Sequence, residues 1–108
     1  MADRRTQLES LIGHLAALTD LLALDPKCQW RRHFVSCLLE AKSLSTSSPD
    51  QQQLNGLSGS VMSVFGGMGS FNDYAPFQNG RLIPGMEPLT EISGQVYQSA
   101  LSLRVVES

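Results

Sequence analysis

Leu8, Leu11, Ile12, Leu15, Leu18 and Leu22 recur at steps of three and four residues, with Leu21 widening the stripe. This spacing lines one face of an α-helix and predicts a helix over residues 3–24. Asp3 suits its cap and Glu9 its first turns. At 1.5 Å per residue it would run about 33 Å, the length of a small domain. A second stripe of Trp30, Phe34, Cys37, Leu38 and Ala41 predicts a helix over 26–43. Asp25 reads as its N-cap and Pro26 as its first residue, where a missing N–H costs nothing. So short a connection implies antiparallel neighbours. Leu54, Leu57, Val61, Met62 and Phe65 predict a third helix over 49–65, and Ser48-Pro49 repeats the cap-then-proline signal. Gly56, Gly59 and several serines make it a poor helix that depends on packing. Leu89, Ile92, Val96, Ala100 and Leu103, with Tyr97 and Leu101 beside them, predict a fourth over 88–105. Gly94 weakens it by about 1 kcal/mol relative to Ala.

Polar positions separate these stripes. Residues 43–53 are rich in Ser and Gln and read as a loop or spacer. Gly66-Gly67 should stop the third helix, because glycine takes the left-handed conformation past a helix end without strain. Residues 66–87 form a loop dense in Gly, Pro, Asn and Ser, in which Asn79-Gly80 is a hairpin-turn signal. Flanks at 74–77 and 81–84 could pair, limited by Pro76 and Pro84. The expected fold is therefore all-α: one helical domain over 1–108, with four helices, a glycine-rich ordered loop and a short hairpin between helices three and four. Leu15, Leu22, Trp30, Phe34, Val61, Phe65, Ile92 and Val96 are its expected core.

Composition narrows the classes. The 108 residues are 42% hydrophobic, 17% charged and 6% aromatic, with a net charge of −2. That is too apolar and too nearly neutral for a disordered chain. A pI near 5.5 points away from nucleic acid as a partner. No apolar run approaches a membrane span, and the Leu11–Leu24 stretch is broken by His14, Thr19 and Asp20 as a signal peptide would not be. Cys28 and Cys37, nine apart on the predicted second helix, face opposite sides and cannot bridge each other. Two unpaired thiols fit a reducing compartment, so a cytoplasmic protein is expected.

The segment Gly66-Gly67-Met68-Gly69-Ser70-Phe71-Asn72-Asp73 is not explained by helix patterning. Three glycines in four positions suggest backbone angles or close approaches that other residues cannot supply. Ser70 and Asp73 have capping-box spacing, and Asn72 and Asp73 can each bond local backbone. One reading is a structural connector between helix and loop. The other is a binding surface made by Gly67, Met68, Gly69, Ser70, Phe71, Asn72, Asp73 and Tyr74, with Phe77 beside it. The octapeptide resembles the signature of a family of short bacterial proteins classed as a domain of unknown function. In that family an amphipathic helix precedes one with a central tryptophan, matched here by Trp30. The resemblance covers about residues 8–75, and the Ser/Gln stretch and Tyr74-Ala75-Pro76 depart from it. It implies no reaction and no cofactor; an immunity-like or regulatory role is an analogy.

Chemistry-bearing motifs are sparse. Gly67-Met68-Gly69 follows a predicted helix, and Asn72 stands where a dinucleotide motif needs glycine, so neither a Rossmann nor a phosphate-loop motif is present. His33 and Cys37 have helical ligand spacing, but two ligands fall short of a zinc site, and no metal is expected. Lys27, Arg31 and Arg32 form a small basic patch that reads as a solvated helix face. The expected function is a non-catalytic protein-interaction module using residues 66–74, with another protein or a second copy of the chain as partner. The alternative is a small hydrolase using Ser70, Asp73 and a histidine.

Overall fold

A computed structural model describes residues 4–65, 71 and 74–104. Four helices account for most of them: α1 (Arg4–Leu22), α2 (Arg31–Ser45), α3 (Gln51–Met62) and α4 (Leu89–Arg104). Between α3 and α4 lies a two-stranded antiparallel hairpin, β1 (Phe77–Gln78) and β2 (Arg81–Leu82). The helices pack as a ring in which α1 meets α2 and α4, and α3 meets α2 and α4. Polar contacts fix their directions. Arg31 at the start of α2 donates to Thr19 O near the end of α1. His33 Nε2, early in α2, donates to Ser60 O late in α3. Gln51 opens α3 and donates to Leu103 O at the end of α4. The bundle therefore runs up-down-up-down.

The leucine stripe of α1 behaves as its spacing requires: Leu8, Leu11, Leu15, Leu18 and Leu22 are all buried. They meet Phe34, Cys37, Leu38 and Ala41 of α2, Leu54, Leu57 and Val61 of α3, and Val96, Ala100 and Leu103 of α4 in one core. Trp30, Phe65 and Ile92, expected in that core, are only half-buried at its edge. One buried hydroxyl ties α3 to α4. Ser58 Oγ donates to Ala100 O at 2.7 Å and accepts from Arg104 Nε at 3.1 Å. On the other side of α4, His14 Nδ1 of α1 is hydrogen-bonded to Ser99 Oγ.

Several helix boundaries differ from the sequence expectation, and at the starts of α2 and α3 a local hydrogen bond outcompetes the expected one. The second helix starts at Arg31, not at Pro26. Asp25 does not cap it; its carboxylate accepts from Lys27 N and its carbonyl from Cys28 N, closing a tight turn instead. Cys28 thus precedes α2, and the two cysteines do not share a helix; both are free thiols. The third helix starts at Gln51, capped by Asp50 rather than Ser48, in a capping box with Gln53. It ends at Met62 rather than residue 65, and Val64 and Phe65 turn in against the core.

The Ser-rich stretch is also less of a spacer than its composition suggests. Ser45, Thr46 and Ser47 each turn a hydroxyl back onto the carbonyl three residues earlier. These bonds satisfy the last carbonyls of α2, which would otherwise lack partners.

Candidate functional site

The directions of the helices gather two connections at one end of the bundle: the α1–α2 turn and the whole excursion between α3 and α4. The excursion is anchored by an aromatic cluster. Phe71 is buried, with ring centroids 4.9 Å from Phe34, 5.5 Å from Phe65 and 6.1 Å from Trp30, all edge-on. Tyr74 stacks on its other side at 5.8 Å, and Phe65 continues the cluster to Tyr97 of α4 at 5.3 Å. Such pairs each contribute about 0.5–1.5 kcal/mol beyond their buried area. Phe71 N also donates to Val64 O at 2.8 Å, so backbone and side chain both hold Phe71 to the end of the bundle.

Tyr74 fixes the next stretch of chain. Its hydroxyl donates to Asp25 Oδ2 at 2.6 Å, joining the excursion to the α1–α2 turn. Burial and this bond, with Cys28 adding to them, hold the Tyr74 phenol well above its ordinary range. The chain then turns through Asn79 and Gly80, both at positive φ (56° and 78°), as a tight hairpin requires. On its return, Ile83 and Met86 are buried and close the end of the core. Gly85 takes φ +94°, which L side chains rarely adopt, and a Cβ there would press on Leu24 Cδ1 at 2.8 Å, so glycine is favoured.

Of the eight residues expected to form a binding surface, Phe71 and Tyr74 are brought together, one as a buried anchor and the other half-exposed. Gly67, Met68, Gly69, Ser70, Asn72 and Asp73 lie outside the described residues, as does Gly66. Phe77, expected beside them, is 58% exposed on the hairpin. The hydrolase alternative draws on Ser70 and Asp73, which also lie outside; both histidines are engaged elsewhere, His14 with Ser99 and His33 with Ser60 O.

Sequence reasoning read Arg31 and Arg32 as a solvated helix face and Asp25 as a cap, and did not bring them together at one cavity. Asp25, Cys28, Arg31 and Arg32 line an open cavity of about 500 Å³. A second, of about 180 Å³, lies between Phe71, Tyr74 and the start of α4. A signal was available in Arg31-Arg32. Two cations in the first turn oppose the helix dipole, which favours acids there, and α2 has no acid in that turn. Cys37 lies 3.6 Å from His33 Nε2, and burial, with Glu40 adding, pushes its thiol up to about 11. Among the described residues no group of three or more His, Cys, Asp or Glu side chains could hold a metal ion. None of their helices is long and apolar enough to cross a membrane.

A family model described as a domain of unknown function, DUF6966, matches residues 23–84, more than half of the chain. The chain belongs to this family. The DUF6966 match begins at the turn after α1 and ends on the return of the hairpin. It includes Asp25, Cys28, the arginine pair, Phe71 and Tyr74, and omits all of α1 and all of α4. No curated protein and no solved structure matches the chain.

Proposed function

We propose that this DUF6966 protein is a non-catalytic protein-interaction module that binds its partner through residues 66–74 at the anchored end of the bundle. The observation that carries this reading is the double anchoring of that segment. Phe71 is locked among four aromatic rings, and Tyr74 is tied to Asp25 across the α1–α2 turn. Anchors of this kind spare a partner the entropy of ordering a loop, which is otherwise a substantial cost of association. The half-exposed Tyr74 and the exposed Phe77 supply the aromatic surface that interfaces favour. A reducing cytoplasm as the site of action fits its two free thiols.

The test is site-specific photo-crosslinking in the native cells. A photoreactive residue replacing Asn72 should yield a discrete adduct with one partner, and Asp73→Ala in the same chain should weaken it. The same probe at Leu39, 61% exposed on α2, is the control. Identical adducts from both positions, or none from position 72, would overturn the reading.

A further inference from the structure

We infer that the cavity beside the α1–α2 turn receives carboxylate side chains from an acidic segment of the partner protein. This rests on the interaction reading above and names the chemistry of the partner. The cavity, about 500 Å³, has a cationic side formed by Arg31 and Arg32 and an apolar side formed by Ala23, Pro26 and Val35. Among the described residues no carboxylate pairs with either arginine; the ion pair found there is Arg5 with Glu9, at the far end of the bundle. The Arg31 guanidinium is already oriented, because its Nε donates to Thr19 O at 3.0 Å. Its terminal nitrogens are left for a planar acceptor, and a carboxylate matches that fork.

One acid faces the same space. Asp25 lines the cavity, but its two oxygens are engaged, Oδ1 by Lys27 N and Oδ2 by the Tyr74 hydroxyl. Among the described residues that line it, the balance is two cations to one anion already engaged, on a chain whose net charge is −2. The two arginines stand in the first turn of α2, where the helix dipole disfavours positive charge and no acid accompanies them. The size of the space also bears on the occupant. It is several times the volume of a single water, which takes about 30 Å³. Charge next to aliphatic surface suits a peptide segment with alternating acidic and aliphatic residues. The site adjoins Tyr74 through its bond to Asp25, so one partner can reach both.

Side-chain NMR of the arginine Nε–H groups in the full chain tests this, in low-salt buffer, with the acetylated peptide Glu-Leu-Glu-Glu-Leu-Glu as probe. Saturable shifts are expected at Arg31 and Arg32 and not at Arg81. The Gln-for-Glu peptide should be silent. Among the described residues Arg32 has no hydrogen-bond partner, so Arg32→Gln should leave the melting temperature unchanged while weakening the peptide about fivefold. Arg31→Lys keeps the charge but loses the fork, and should weaken it as well. Equal shifts with the neutral peptide, or none at either arginine, would overturn the inference. So would inorganic phosphate or a single-stranded oligonucleotide matching the peptide at equal concentration. If the adduct from position 72 persists while the arginines stay silent, this inference fails and the interaction reading stands. If the arginines respond and position 72 yields no adduct, the reverse holds.

Discussion

Cys28 and Cys37 differ by nine positions and by their surroundings. Cys37 is buried and its thiol is pushed up to about 11, so at pH 8 only about one molecule in a thousand carries the reactive thiolate there. Cys28 is half-buried on the wall of an open cavity. Iodoacetamide at pH 8 should therefore modify Cys28 alone in the folded protein and both thiols in urea, as intact mass would record. The same residues set an alkaline limit. An unfolded chain releases the Cys37 proton near its ordinary value of 9.0, whereas the folded chain keeps it to about 11. The stability this thiol confers is complete below pH 9 and is lost as the pH rises through 11. Tyr74, also raised, adds to the loss above pH 10. Melting temperature should fall over that range, and the fall should be shallower in Tyr74→Phe, measured by circular dichroism.

At the scale of elements, the apolar stripes were legible and the punctuation was not. The stripe of α1 and the buried faces of α2, α3 and α4 follow from three- and four-residue spacing alone, because burial on one side of a helix leaves no other pattern. Asp25-Pro26 and Ser48-Pro49 look alike on paper, yet neither pair opens a helix. Asp25 spends its carboxylate on a turn, and Asp50 does the capping with help from Gln53. The choice depends on where Trp30 and Tyr74 must pack, which no local pattern records. Phe71 illustrates the same limit at the candidate site. An apolar residue in a polar loop already has the look of an anchor in sequence, but only the fold shows which rings it packs between. Phe71→Ala should cost about 3–5 kcal/mol in urea unfolding, as large truncations in cores do. Asp50→Ala should cost about 1 kcal/mol through loss of the cap. Gly94→Ala should instead add about 1 kcal/mol, since a Cβ there meets nothing within 4 Å.

For the molecule as a whole, stability should be graded along its 49 Å length. The leucines of α1 and Ala100 of α4 sit in the fully buried middle, whereas the hairpin offers two paired residues per strand. Hydrogen exchange should show amides near Leu15, Leu18 and Ala100 opening only with global unfolding, and those of β1 and β2 opening locally at lower free energy. Equal protection at both places would show that the excursion is part of the cooperative core.

The alternating directions of the four helices also decide how the protein can be handled. The first turn of α1 and the last turn of α4 emerge together, a helix length away from Tyr74 and the arginine pair. With 19 residues in α1, that is about 28 Å. A dye or carrier joined to a side chain in the first turn of α1 or the last turn of α4 would stand behind the bundle with the aromatic end turned outward. Surface capture through one of those helix turns should therefore present every molecule in the same pose, ready for the peptide titrations proposed above.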